Sequence, residues 1–339
     1  MTADRDAGRR RAGMPADRAS LTPPQVSVVI PTWRGRELLG PCLDSLATQQ
    51  RLPDEVIVVD DGSPDDTAAW IRGAYPHVTL VELPRNVGFA GAANAGIRAS
   101  HGHIVVLMNN DTVAEPAWLG ALVAPLESDV SVGACASKIL LFDDPTTLHA
   151  AGDGYTTGGV PTNRGAFTPD DGRHDVGATT SWIFGPCAAA AAYRRELLDE
   201  TGGFDEWLVS YLEDVDLAWR ANLLGYGTRY VPEARIRHRI SATAGQVRSS
   251  YWCGRNVLLV LARDVPWPLL KKYWRSIWKA QTAIALDALR HWRGEAARAR
   301  LRGIMAGIIR LPDAIRRRGA IQASRRVPVS AIEALLTHG

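Results

Sequence analysis

The sequence predicts an α/β protein built on a single, largely parallel sheet, and three observations carry that prediction. Apolar, β-branched runs recur at 26–33, 54–63, 78–83 and 103–111, each too uniformly apolar for a sheet with one face in water. Segments with helical spacing alternate with them. Three of the four runs stop in polar residues, and in parallel sheets ligands lie beyond the carboxyl ends of the strands.

Each element follows from its local chemistry. "VSVVIPTW" (26–33) is a strand ended by Pro31, and "ELLGPCLDSLATQ" after it has helical spacing. "DEVIVVDDGS" (54–63) is a second buried strand closing on Asp60, Asp61 and a Gly-Ser turn, followed by the helical "DDTAAWIRGAY". "VTLVEL" (78–83) leads through the glycine-rich "PRNVGFAGAANAGIRAS" into a helix, and "HIVVLMNND" (103–111) again ends polar. Thr32, the Asp60/Asp61 pair and Asn109, Asn110 and Asp111 are therefore expected on one rim. Taken singly, each could be a turn or a helix cap; three strands ending alike favour a shared crevice. From 112 to 180 the periodicity loosens, and 142–175 reads as a functional or partly disordered loop. "WIFGPCAAAAAYRRELLDETGGFDE" gives a strand, a helix and a turn. "YLEDVDLAWR" (211–220) reads as the acidic first turn of a helix, where carboxylates oppose the macrodipole. "GYGTRYVPEARIRHRIS" is expected to form a strand pair with His238 near its end. There is no internal repeat.

At 339 residues and 46% hydrophobic content, the chain can bury a core as one large domain with an appendage or as two domains. Its net charge of +3 hides an asymmetry: 251–339 holds 17 Lys and Arg against five Asp and Glu, leaving 22 against 31 before it. An acidic body with a basic tail suggests an anionic partner for the tail. In 269–292, Leu270, Trp274, Ile277, Trp278, Ile284, Ala288 and Trp292 recur at helical spacing with Lys271, Lys272, Arg275, Lys279 and Arg290 between them. That pattern suits an anionic membrane interface, here the inner membrane surface. The competing reading is a helical pair covering the main domain or forming a homodimer interface. No recognition motif accompanies the charge, so nucleic acid is disfavoured. Cys42, Cys135, Cys187 and Cys253 form no Cys-x-x-Cys pair and read as thiols in a reducing compartment. Residues 1–24 read as a disordered leader, because "RRR" at 9–11 is not followed by an apolar stretch. No run of about 18 apolar residues suggests a membrane span. The expected location is cytoplasmic, peripheral on the membrane.

The first strand is followed by "PTWRGRELL", which lacks the Gly-x-Gly-x-x-Gly of a dinucleotide site and fits a triphosphate loop poorly. "VSVVIPTW", "VIVVDDGSPDDT", "RNVGFAGAANAGI", "VVLMNNDT", "GGFDEWLVSYLEDVDLAWRANLLGYGTRYVPEARIRH" and "RN" at 255–256 instead resemble, in order, the motif set of family 2 glycosyltransferases. The resemblance covers about residues 25–260 and is nearest to the bacterial branch of rhamnosyltransferases and related cell-surface polysaccharide enzymes. It implies a GT-A fold at 25–262, with a nucleotide-binding half at about 25–112 and an acceptor half at about 113–262. A basic helical tail would follow at 263–339.

The resemblance also implies a reaction: inverting transfer of a sugar from a nucleotide diphosphate to a hydroxyl of a glycan or lipid-linked acceptor. Deoxythymidine diphosphate rhamnose is the first guess for the donor. Pro31, Thr32, Asp60 and Asp61 would contact the nucleoside, and Asn86, Gly88, Asn94 and Asn110 would line the same pocket. A divalent metal, Mg2+ or Mn2+, would be held by Asp111 and His238, although Asn109-Asn110-Asp111 stands where two acids usually flank one residue. Asp214 would be the general base, Glu213 would orient the acceptor, and Asp216 would be a capping or structural acid. Trp182 and Trp207 read either as an acceptor wall or as core. The weakened metal motif leaves a second class open, a non-catalytic membrane-associated binder of nucleotide-sugar or glycan.

Overall fold

A computed structural model describes residues 25–178, 181–240 and 245–338; the leader read at 1–24 lies outside the described residues. The first four strands, β1 (Val26–Thr32), β2 (Glu55–Asp60), β3 (Thr79–Glu82) and β4 (Ile104–Met108), are parallel in the order β3-β2-β1-β4. The crossovers are α1 (Arg36–Ala47), α2 (Thr67–Ala74) and α3 (Phe89–Ala99). Val28 and Ile30 pack beneath Leu39, Cys42 and Leu43 of α1, whereas Val29 packs with Ala92 and Ala93 of α3 on the opposite face. Both faces are covered, which is why Val26, Val28, Val29 and Ile30 are apolar irrespective of the face they point to. α3 lies directly on the sheet: a Cβ at Gly96 would stand 2.2 Å from Val29 Cγ1.

Past β4 the sheet becomes mixed. β5 (Thr112–Ala114), α4 (Trp118–Ser128), β6 (Val132–Leu141) and β7 (Leu148–Ala150) follow in sequence. Next come a small hairpin of β8 (Asp153–Tyr155) and β9 (Pro161–Asn163), then β10 (Ala190–Arg194), α5 (Arg195–Thr201), α6 (Glu213–Leu224) and β11 (Gly227–His238). β10 runs antiparallel between β4 and β6, β11 lies parallel to β6, and β5 pairs antiparallel at the far edge. The strand pair expected near 225–241 is instead the single twelve-residue β11, whose register on β6 shifts between Val231 and Arg235. Pro232 lies in that shift; it lacks an N–H for the ladder, and the backbone absorbs it as a bulge without reversing. The irregular 142–175 segment is pinned to the sheet by the buried Lys138, whose Nζ donates to Asp170 (2.8 Å) and Asp175 (2.7 Å).

Four helices complete the chain: α7 (Gly245–Asp264), α8 (Trp267–Arg290), α9 (Glu295–Ala323) and α10 (Val329–Glu333). α7 and α9 approach backbone to backbone, since a Cβ at Gly303 would lie 2.1 Å from the Tyr251 carbonyl. Ala314 of α9 and Leu259 of α7 share a core with Trp219 and Leu223 of α6, so the inner face of the tail covers the domain. Its outer face leaves Trp274 and Trp278 58% and 71% exposed, with Met305, Ile308 and Ile309 also exposed. Among the described residues no helix is long and apolar enough to cross a membrane. All four cysteines are free thiols.

Candidate active site

The carboxyl ends of β1 and β4 open into a cavity of about 680 Å³ lined by Pro31, Thr32, Asp61, Asn86, Gly88, Asn110 and Asp111. Glu213, Asp214 and His238 line it as well, so residues separated by more than 200 positions share one chamber. Asn110 Nδ2 donates to Thr32 Oγ1 at 2.8 Å and ties the two strand ends together. Asp61 accepts from the N–H groups of Val87 (2.7 Å) and Gly88 (3.0 Å), fixing the loop that opens α3. Burial raises the Asp61 carboxyl, an effect those N–H donors and then the charge of Arg248 oppose. Gly88 has φ +86°, and any Cβ there would meet Val209 at 2.6 Å. Only glycine fits both demands.

Four expected residues lie elsewhere. Asp60 is buried and accepts from Ser63 N–H at 3.0 Å, closing a turn outside the cavity lining. Asn94 spends its amide on Phe204, donating to its carbonyl (2.8 Å) and accepting from its N–H (2.9 Å), and so locks α3 to the 203–206 turn. Trp182 packs flat beneath the Arg229 guanidinium, 3.6 Å from the ring centre, and against Gly227. Trp207 is enclosed by the guanidiniums of Arg255, Arg263 and Arg317. These side chains are polar or aromatic for the sake of protein contacts, and the two tryptophans form no wall of the cavity.

At one end of the cavity His238 Nε2 lies 3.1 Å from Asp111 Oδ1. The approach is not aligned as a hydrogen bond, and Asp111 Oδ1 is buried without a hydrogen-bond partner among the described residues. A buried carboxylate oxygen left open beside an imidazole nitrogen is the donor set of a divalent cation that takes its remaining ligands from phosphate oxygens and water. Asp111 and His238 therefore fit such an ion as a pair; among the described residues no group of three His, Cys, Asp or Glu side chains is arranged to hold one. The other nitrogen of His238, Nδ1, is 3.0 Å from His149 Nδ1. Burial, and then the neighbouring His238, push His149 down to about 3, so it is a neutral ring near pH 7. It can accept the Nδ1–H of His238 and leave Nε2 free for a ligand. His149 was not legible in the sequence; it reaches the site because β7 pairs with β6, which pairs with β11.

Asp153, Glu213 and Asp214 line the same cavity. Val209, Tyr211 and Leu212 have φ of 68°, 66° and 66°, so a strained turn precedes α6. Asn256, fully buried on α7, spans that turn: its Nδ2 donates to the carbonyls of Leu208 (3.0 Å), Ser210 (3.0 Å) and Tyr211 (2.7 Å). The "RN" dipeptide thus has a physical task, and Arg255 joins it through Asn256 Oδ1 at 2.7 Å. Asp214 Oδ1 accepts from Val215 N–H (2.8 Å) and Oδ2 from Ala188 N–H (3.2 Å), which aims its carboxylate into the cavity.

Around Asp214 the environment sorts the carboxyls. Burial and then the Asp214 charge raise Glu213 well above the usual range, and Glu213 Oε2 has no hydrogen-bond partner among the described residues. The same two causes raise Asp153, which lines the cavity from β8 and accepts from Asn163 Nδ2 at 2.8 Å. Asp214 itself is raised by burial but eased by its two N–H donors. Burial works against Asp216 too, yet Arg220 and Arg263 outweigh it and hold Asp216 below the usual range. Asp216 is therefore a structural acid that pairs with Arg220 and Arg263, and its side chain makes no cap for α6. Of the three carboxyls that face the cavity, Asp214 has burial offset by backbone N–H donors, whereas Glu213 and Asp153 are pushed well above the usual range and are harder to ionise. Asp153 was also missed from the sequence, because three-residue strands carry no periodic signal.

Comparison with known proteins agrees with this architecture. The family model described as "Glycosyl transferase family 2" matches residues 27–202, just over half of the chain. An uncharacterized protein of Sinorhizobium fredii is 31% identical over 238 residues, 66% of this chain and 25% of that protein. The N-acetylglucosaminyl-diphospho-decaprenol L-rhamnosyltransferase of Mycobacterium tuberculosis is 27% identical over 235 residues, 61% of this chain and 73% of the relative. The chain thus spans a quarter of the first relative's length and nearly three quarters of the second's. Among solved structures, the mannosyltransferase PcManGT of Pyrobaculum calidifontis, in complex with GDP-Man and Mn2+, aligns with a TM-score of 0.54 at 22% identity. That alignment covers 92% of this chain and 79% of the other, and it establishes a shared fold. With its parallel strands ending on one rim, and with more than half its length matched by the family model, the chain belongs to glycosyl transferase family 2.

Proposed function

We propose that the protein is an inverting glycosyltransferase that moves a sugar from a nucleotide-diphosphate sugar to a hydroxyl of a glycan or lipid-linked acceptor in cell-surface polysaccharide synthesis. The observation that carries this reading is one cavity lined both by Asp111 and His238, 3.1 Å apart, and by Asp214. Thr32, Asp61, Asn86 and Gly88 supply a polar wall for the nucleoside. Asp111 and His238 would hold Mg2+ or Mn2+, and that ion, when bound, neutralises charge on the departing diphosphate. Asp214 accepts the proton of the attacking hydroxyl, because backbone N–H donors favour its carboxylate while Glu213 and Asp153 are harder to ionise. Glu213, harder to ionise than Asp214, can donate a hydrogen bond from the cavity wall when it holds its proton. Rhamnose as the sugar is supported by the rhamnosyltransferase named in the mycobacterial relative, and deoxythymidine diphosphate is the carrier proposed with it. The exposed tryptophans and cations of the tail support peripheral attachment to an anionic membrane surface.

The test is nucleotide release from a panel of nucleotide-sugars in the presence of Mn2+ and an N-acetylglucosaminyl-diphospho-polyprenol acceptor. Acceptor-dependent release with one donor is expected, together with a product of inverted anomeric configuration. Binding of nucleotide without turnover on any donor would sink the reading and leave a non-catalytic binder.

A further inference from the structure

The wall of the catalytic cavity is not made by the sheet alone. Arg248 of α7, Ile284 of α8 and Arg300 of α9 line the same chamber as Asp214. Both guanidiniums belong to half-buried residues; Arg248 lies near enough for its charge to act on the Asp61 carboxyl, whereas Arg300 has no hydrogen-bond or ion-pair partner among the described residues. Neighbouring arginines are committed: Arg255 to Asn256 and the Trp207 carbonyl, Arg263 to Asp205, Asp216 and Asp264. A half-buried cation that faces a cavity without an acidic partner, as Arg300 does, calls for an anionic ligand.

The surroundings say which anion. A second cavity of about 520 Å³ adjoins the first and shares Arg248 with it; Val247, Tyr251, Ala299 and Arg302 line its walls. Arg302 also has no acidic partner among the described residues. From there Arg302, Met305 and Ile309 follow at three- and four-residue spacing along one face of α9, with Met305 58% and Ile309 68% exposed. Cations at the chamber thus give way to an apolar stripe on the outer surface. A nucleotide-sugar has no apolar chain to use that stripe, and its diphosphate already has Asp111 and His238. An acceptor whose sugar is joined to a long lipid through a diphosphate matches all three parts in order.

We propose that Arg248, Arg300 and Arg302 form a subsite for the diphosphate of a lipid-linked acceptor, with the lipid chain leaving across the Met305 and Ile309 face of α9. This deepens the transferase reading and rests on it. The subsite holds the acceptor sugar's hydroxyl over Asp214 by gripping the linkage behind it. It also assigns the tail a share in substrate selection, since Arg300 and Arg302 lie outside the family-matched 27–202 region.

The experiment uses the full chain and calorimetric titration with farnesyl diphosphate, farnesol, inorganic pyrophosphate and, separately, UDP, GDP and deoxythymidine diphosphate with Mn2+. Farnesyl diphosphate is expected to bind more tightly than farnesol or pyrophosphate. Arg300→Gln should weaken it about tenfold, and adding Arg302→Gln should weaken it further, as loss of charge-assisted hydrogen bonds implies. Arg300→Lys should recover part of the loss, and all variants should keep the wild-type melting temperature and nucleoside diphosphate affinity. Unchanged farnesyl diphosphate affinity in the double variant overturns the proposal. Loss of nucleoside diphosphate affinity with farnesyl diphosphate binding intact overturns it too, assigning the arginines to the donor. Wild-type protein that binds no nucleoside diphosphate, yet holds farnesyl diphosphate through Arg300, overturns the transferase reading and retains the subsite.

Discussion

Replacing Asn256 by Asp tests whether a single amide holds Asp214, the proposed base, in place. The change is nearly isosteric, so it opens no cavity, but it removes both N–H donors that face the carbonyls of Leu208, Ser210 and Tyr211 at 3.0, 3.0 and 2.7 Å. Two hydrogens can satisfy two of the three acceptors fully, and each buried carbonyl left without a donor costs about 1–3 kcal/mol, a loss of about 2–6 kcal/mol. Arg255, whose Nη1 is 2.7 Å from Asn256 Oδ1, would then face a carboxylate and return about 1–2 kcal/mol. From the midpoints of those ranges, about 4 and about 1.5 kcal/mol, the net expectation is about 2.5 kcal/mol of lost stability, measured by urea unfolding. The turn it spans contains three non-glycine residues at positive φ, which relax once the clamp is gone. A shift of about 1 Å in Asp214 is enough to lower turnover about 100-fold. The reasoning fails if Asn256→Asp unfolds within about 0.5 kcal/mol of wild type and keeps turnover within about threefold.

Other residues give independent tests. Asp214→Asn should reduce kcat by about 10²- to 10⁴-fold while leaving nucleotide affinity in place. Because Asp214 must be ionised to act and its pKa is raised, wild-type kcat/KM should fall as pH drops through a value above that of an exposed aspartate; a profile breaking at the ordinary carboxylate pKa would contradict the burial argument. Asp216→Asn should cost about 3 kcal/mol, at the low end for a broken buried pair because Arg263 keeps Asp205 and Asp264. Since the Asp216 pKa is lowered by folding, its contribution is present above the unfolded aspartate pKa and lost as pH falls through the folded value. The variant should therefore show a shallower acid limb of stability. His149→Phe should weaken Mn2+ binding about 10- to 100-fold in a direct titration, with the fold intact, and an unchanged affinity would remove His149 from any role behind His238.

How much of this was readable in the chain depended on the kind of signal. β1, β2 and β4 are apolar on both faces because helices cover both sides, and such runs stand out in sequence. The rim was readable for the same reason, since strand ends are where polar residues first return. Reading failed where one residue type serves two purposes. Asn94 and Asp60 look like ligand contacts, yet they bond to Phe204 and Ser63, and nothing local separates an amide that meets a ligand from one that meets a backbone. β11 was read as two strands because Pro232 suggests a break, whereas the neighbouring strands carry it through as a bulge. His149, Asp153, Arg248 and Arg300 come from segments without periodicity or from the tail, and only tertiary pairing brings them to the cavity.

The contact between Gly88 and Val209 links parts that the chain keeps far apart. Phe89 N–H donates to Ser210 Oγ at 3.2 Å and Ala90 N–H to the Val209 carbonyl at 3.1 Å, so the loop beside the nucleoside wall and the turn before Asp214 are built as one piece. Donor preference and acceptor activation are consequently not separable modules. A chimera that imported the first hundred residues of a relative to change its sugar would bring a foreign surface against Val209. To work, it would have to exchange the 85–94 and 203–212 segments together.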